Sequence, residues 1–169
     1  LSRGLGDVYK RQELYFQALH KTASMSLIQY EVSNFAKADF QSRSNLKVWD
    51  GQPYLGLGCG AHSFDGVNRW GNVRSMRKYM ESVGREEPPR DFMETPTRLQ
   101  QASERLMLSL RRPEGLNILS WQEEFQIGLS LEQKNQLEKL MDQDLVSWES
   151  PILKLTTEGM LLADASNIP

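Results

Sequence analysis

Tyr54-Leu55-Gly56-Leu57-Gly58-Cys59-Gly60-Ala61-His62-Ser63 is the stretch on which the reading of this chain turns. It reads as an apolar strand running into a glycine-dense turn. Glycines at alternate positions let the backbone bend and approach a ligand closely, with no Cβ in the way and N–H groups open to it. A glycine-rich strand end is equally the pattern of a bulge or a tight packing point. It is not the dinucleotide fingerprint, because the glycines fall at i, i+2 and i+4 and no helix with an acidic residue ~20 positions on follows. Cys59-x-x-His62 is not a metal site either, since two ligands do not close a shell and no second pair exists.

Working outward, Glu13–Ser24 has Leu14, Tyr15, Ala18, Leu19 and Thr22 at helical spacing. Leu27–Val32 is short and β-prone, with Glu31 placed either to enter a barrel lumen or to form a salt bridge. Ser33–Gln52 reads as a long polar loop dotted with aromatics. Ser75–Val83 reads as a helix ended by Gly84 and Pro88-Pro89, which set a domain boundary. Beyond it, Thr95-Pro96 opens a helix that carries Leu99, Ala102, Leu106 and Leu110 on one face. Ile118–Phe125 is a second helix. Ser130 and Gln133 form a capping box for a third, with Leu137, Leu140 and Met141 inward. Val146/Trp148 and Leu153/Leu155 alternate across a turn as a hairpin, and Thr156 caps a last helix. Three helices, a hairpin and a closing helix describe a winged-helix-like module.

The bulk numbers narrow the function classes. Of the 169 residues 39% are apolar, mean hydropathy is −0.54, and no apolar run approaches a membrane span. The cytoplasm is the expected compartment. A net charge of −2 gives no footprint for nucleic acid. A recognition helix over Leu131–Asp144 would set Lys134 and Lys139 against Glu132, Glu138, Asp142 and Asp144, the wrong balance for phosphates. One cysteine, Cys59, excludes an internal disulfide and a self-contained thiolate cluster.

Several blocks, taken in order, resemble the radical-SAM coproporphyrinogen III oxidase-like family. They are Gln29–Ala36, Ser42–Trp49, Tyr54–Gly58 with Gly60–Ser63, Glu104–Arg111 with Glu114-Gly115-Leu116, and Leu155–Gly159. The Tyr-Glu-Val-Ser-Asn-Phe and Gly-Ala-His-Ser wording is closer to the heme-chaperone branch than to the anaerobic coproporphyrinogen dehydrogenases. The resemblance implies an α/β chain, with residues 13–88 forming the last strands and helices of an incomplete radical-SAM barrel. Residues 89–169 would form the mostly helical, winged-helix-like C-terminal domain. It implies a fragment of a protein of porphyrin and heme metabolism, inactive alone. The full-length parent would hold S-adenosylmethionine, a 4Fe–4S cluster and heme, with a tetrapyrrole as partner and no nucleic acid or integral membrane segment. The alternative is a winged-helix nucleic-acid-binding or protein-interaction module.

Such family members hold the cluster through Cys-x3-Cys-x2-Cys, which nothing here matches, so no cluster ligand carries over. In the dehydrogenase branch the residue between the Ala and Ser of the glycine turn contacts S-adenosylmethionine, and that position is His62. Gly58, Gly60, Ala61 and His62 are therefore the cofactor-binding candidates, with no catalytic or metal-ligating residue. Ser44 stands where the family usually has a histidine, so the resemblance implies the loss of a heme or substrate contact in that loop. Arg69, Arg74, Arg77 and Lys78 form a small basic stretch open to propionates or to solvent.

Leu1–Gln12 contains Asp7-Val8-Tyr9-Lys10-Arg11-Gln12, which reads as a translated sequencing adapter, so residues 1–12 are expected to be non-native and unstructured. Deleting them leaves the melting temperature unchanged within error; a clear fall would make them part of the native structure.

Overall fold

The computed structural model of the chain describes residues 5–163. Its contacts divide the described residues into two compact units, one formed by residues 5–42 with 106–163 and the other by Arg43–Arg105.

The first unit opens with helix α1 (Leu5–Ser24). Residues 5–12, expected to lack structure, form its first turns, while residues 1–4 lie outside the described residues. The stretch has no proline, and once Glu13–Ser24 nucleates a helix each added residue gains a hydrogen bond at little cost. Strands β1 (Ile28–Glu31) and β2 (Asn34–Ala36) then form an antiparallel hairpin. The tight turn between them is fixed by the Ser33 N–H donating to Glu31 Oε1 at 3.1 Å. Glu31 is buried, and this turn contact replaces the salt bridge expected of it. The polar stretch read as one loop thus contains β2 and, after it, helix α2 (Arg43–Trp49). Both elements escaped the reading because α2 buries no residue and β2 is only three residues long.

The second unit is built on an antiparallel sheet of β3 (His62–Phe64), β4 (Arg69–Asn72) and β5 (Arg90–Glu94), with β4 in the middle. Helix α3 (Met76–Gly84) follows β4, its N-terminus capped by the Ser75 side chain. The strand expected over Tyr54–Ser63 shrinks to a single bridge in which Tyr54 and Phe64 exchange N–H···O bonds of 2.8 and 2.9 Å. Beyond Tyr54 the Gly56 N–H turns to the Ser63 hydroxyl (2.9 Å) instead of a backbone carbonyl, and the ladder stops. β5 pairs with β4 across Gly84 and Pro88-Pro89, so that punctuation ends a helix without dividing the compact units at 88/89. The unit buries few side chains: Ser63, Asn72, Pro96 and Ala102, with Gly71. Hydrogen bonds and strand pairing hold it more than apolar burial does.

Helix α4 (Arg98–Leu110) begins in the second unit and ends in the first. Thr97, not Thr95, sets its start: the Thr97 hydroxyl accepts from Gln100 N–H at 3.3 Å while Gln100 Oε1 accepts from Thr97 N–H at 2.8 Å. Pro96 lies before the helix, and Leu99, expected inward, is exposed in the first turn. Ala102, Leu106 and Leu110 are buried as the spacing predicts.

The rest of the first unit follows the sequence closely. Strand β6 (Leu116–Asn117) leads into helix α5 (Ile118–Phe125), capped by the Asn117 side chain. Ser130 and Gln133 form the capping box of α6 (Leu131–Asp142). Leu137 and Leu140 are buried there, whereas Met141 is not. Strands β7 (Val146–Glu149) and β8 (Ile152–Leu155) make the hairpin, and β6 adds to β8 in the order β6-β8-β7. A two-residue strand has too few positions to show alternation, which is why β6 is not read from sequence. Thr156 caps α7 (Thr157–Leu162), accepting from Gly159 N–H at 3.0 Å. A Cβ on Gly159 would strike the Leu145 carbonyl, so only glycine lets α7 approach the start of the hairpin.

Leu153 lies on the central strand and is fully buried. Leu153→Ala lowers unfolding free energy by about 2–5 kcal/mol in urea titration, while Leu131→Ala, at an exposed position, stays within about 0.5 kcal/mol. Equal losses would mean that the β6-β8-β7 sheet is not the core of this unit.

Candidate functional site: the glycine turn of the second unit

The turn from Gly56 to Ser63 is shaped from inside. Gly58 has φ +100° and Gly60 φ +70°, values that favour glycine. A Cβ on Gly56 would meet the His62 carbonyl oxygen, whereas a Cβ on Gly58 would meet nothing within 4 Å. Gly56 therefore serves a close backbone approach, and Gly58 presents an open face.

The N–H groups are less free than the sequence suggests. Gly56 N–H donates to Ser63 Oγ (2.9 Å), Gly58 N–H to the Tyr79 hydroxyl (3.1 Å) and Gly60 N–H to the Val73 carbonyl (3.0 Å). The expectation of a cradle of open donors is corrected accordingly. The turn spends these three donors on its own shape, and what it offers outward is backbone surface and side chains.

Asn72 is the residue that sequence reasoning missed. Its buried carboxamide donates to the Gly58 carbonyl at 2.9 Å and reaches the Gly56 carbonyl at 3.4 Å. Its backbone N–H donates to the Ala61 carbonyl at 2.8 Å. One side chain thus ties both ends of the glycine run. The only available signal was an Asn at the end of Arg69-Trp70-Gly71-Asn72, too short and too polar to read as a strand.

His62 opens β3, and its exposed ring meets Phe92 edge-on, with centroids 5.5 Å apart at 60°. Gly71 lies between them in the cross-strand row, where a Cβ would strike the Phe92 ring. Of the candidate set, Gly58, Gly60, Ala61 and His62 are together in the turn and the first residue of the strand. Cys59 is half-buried and free. Among the described residues no group of three or more His, Cys, Asp or Glu is placed to hold a metal ion.

The basic stretch does not converge as one patch. Arg69 pairs with Glu94 (2.7 Å) and Glu104 (3.0 Å), and the Glu94 hydrogen bond is the chief cause holding its guanidinium further toward the charged form. Arg77 pairs with Glu81 at 2.9 Å. Arg90 instead covers Trp70, 4.9 Å from the ring centroid. In the turn between β3 and β4, Asp65 accepts from Asn68 N–H (2.6 Å) and Val67 N–H (2.8 Å), which lowers its pKa below the usual carboxylate value. The support these bonds give the turn is present above that usual value and is lost as pH falls through the lowered one.

With this geometry in place, the comparisons point one way. Residues 97–162 match the HemN C-terminal domain family. The chain superposes on Escherichia coli coproporphyrinogen III oxidase (HemN), a radical SAM enzyme, with a TM-score of 0.69 at 15% identity, covering 88% of this chain and 38% of that one. At that identity the likeness speaks for the fold, which is of the coproporphyrinogen-oxidase-like kind. More particularly, the chain is 31% identical over 153 residues to the heme chaperone HemW of Bacillus subtilis (strain 168), covering 90% of this chain and 40% of that protein. It is 32% identical over 136 residues to HemW of Mycobacterium tuberculosis (strain H37Rv), covering 80% and 33%. The resemblance read from the sequence blocks therefore holds, with heme chaperones as the recurrent relatives. The chain spans 40% or less of the length of these relatives. No described helix is long and apolar enough to cross a membrane.

If Asn72 holds the turn, Asn72→Ala costs about 1–3 kcal/mol for the carbonyls it leaves unpaired. It also speeds hydrogen exchange at Gly56, Gly58 and Gly60 ahead of global unfolding. Unchanged protection at those amides would show that the turn stands without Asn72.

Proposed function

We propose that this chain is part of a radical-SAM heme chaperone or coproporphyrinogen III oxidase-like protein of porphyrin and heme metabolism, working in the cytoplasm on a tetrapyrrole. The observation that carries the reading is similarity to heme chaperones over nine-tenths of a chain that has a single cysteine. In such a parent, a 4Fe–4S cluster with bound S-adenosylmethionine supplies radical chemistry. The residues present here do not fit the cluster, because one thiol cannot supply three thiolates.

For S-adenosylmethionine this chain has one wall to offer. The open face at Gly58, the backbone of Gly60 and Ala61, and the exposed His62 imidazole steadied by Phe92 would bear on the cofactor by contact rather than through a set of amide donors. We read residues 13–88 as the last elements of an incomplete barrel. Leu55 and Leu57, 69% and 81% exposed, support that reading as apolar side chains awaiting cover. The helices and the β6-β8-β7 sheet from α4 onward suit a winged-helix-like domain.

The test restores the N-terminal half. In the restored parent His62→Asp weakens S-adenosylmethionine binding, measured calorimetrically, while Lys134→Asp on the surface of α6 does not. This chain alone reconstitutes no cluster by iron and sulfide analysis. Equal binding by both variants with the fold intact would reduce His62 to a turn residue, and a cluster on this chain alone would overturn its reading as a partial protein.

A further inference from the structure

His62 and Phe92 touch across a whole intervening strand. His62 is on β3, Phe92 on β5, and β4 runs between them. The register sets His62 opposite Gly71 and Gly71 opposite Phe92, so the three residues form one row on one face of the sheet. Neighbouring strands lie about 4.8 Å apart, which puts the outer residues of the row roughly 10 Å apart at the backbone. Their rings nonetheless meet, with centroids 5.5 Å apart. A side chain on the middle residue would fill that space, and Gly71 has none.

Three observations give this row a role beyond packing. Gly71 is not among the glycines with positive φ, so its backbone does not call for glycine. What calls for it is the Phe92 ring, whose Cε1, Cδ1 and Cζ are the nearest atoms to a Cβ at that position. Phe92 is 39% exposed and β5 is exposed at all five positions, so the strand is not held for the apolar area it buries. It is held by directed contacts on either side of Phe92. Before it, the Val73 N–H donates to the Pro89 carbonyl at 2.8 Å. After it, Glu94 pairs with Arg69 at 2.7 Å, in the next row on the same face. The His62 side chain makes no hydrogen bond or ion pair among the described residues, so the edge-on contact with Phe92 is what restricts the imidazole.

We propose that Phe92 and Gly71 are positioning residues for the cofactor wall: Phe92, admitted by the gap at Gly71, holds the His62 imidazole in one orientation toward S-adenosylmethionine. This rests on the reading of His62 above and adds what controls it. A ring ordered before its ligand arrives loses less freedom on binding, so the contact acts on affinity through His62 and not through a bond of its own.

The test has two parts. In the 169-residue chain, the His62 ring protons carry a ring-current displacement from Phe92 in the NMR spectrum. Phe92→Leu and Gly71→Ala both remove it, the second by pushing the phenyl ring aside, while Phe92→Tyr keeps it. Thermal unfolding checks that each variant folds. In the parent with its N-terminal half restored, calorimetry gives Phe92→Leu and Gly71→Ala an S-adenosylmethionine affinity weakened about three- to tenfold, with Phe92→Tyr close to wild type. In a His62→Ala background Phe92→Leu adds no further loss, which separates positioning from a structural role. Unmoved His62 resonances in Phe92→Leu, wild-type affinity for that variant, or an equal loss in both backgrounds would overturn the positioning role and leave the reading of His62 standing. Wild-type affinity for His62→Ala would remove both.

Discussion

Four consecutive residues, Arg69–Asn72, organise the second unit because β4 is its middle strand. A middle strand is paired on both edges, so every side chain on it has neighbours from two directions. Arg69 reaches Glu94 and Glu104. Trp70 lies under Arg90. Gly71 leaves the room that Phe92 fills beside His62. Asn72 turns inward and fastens the glycine run. With few buried apolar side chains, this unit draws its shape from directed contacts, and directed contacts are lost singly. A unit held in this way is easily loosened, and its ordered glycine turn depends on β4 being paired.

The first unit rests on a different balance. Leu153 and Leu155 of β8 face a core that includes Leu116, Trp121, Phe125, Leu137, Leu140 and Val146. Burial of this kind is non-directional and additive, at roughly 25 cal/mol per Å² of apolar surface. It tolerates conservative change better than the Asn72 network does. The salt bridges of the second unit, being partly solvent-exposed, add at most about 1 kcal/mol each.

This contrast also explains what the sequence made legible. Helices α3, α5, α6 and α7 and the β7-β8 hairpin carry periodic apolar residues or side-chain caps, and their written pattern is their physical cause. Ser130 with Gln133 and Thr156 with Gly159 are local signals with local consequences. β4, β5 and β6 have no such pattern. Arg90–Glu94 is exposed at every position, and Arg69–Asn72 contains a glycine that exists for Phe92, twenty-one positions further on. Their reasons lie in partners distant in sequence.

The glycine turn shows the limit most plainly. Gly56, Gly58 and Gly60 could be singled out from sequence, and the family resemblance pointed to Ala61 and His62. The use made of the backbone could not be read, because the partners of its N–H groups are Ser63, Val73 and Tyr79, the last at a separation of twenty-one residues. A glycine run followed by free amides would be an anion cradle. The same run with three amides already bonded spends them on the shape of the turn. The position of His62 depends on Phe92 and, through Asn72, on the middle strand.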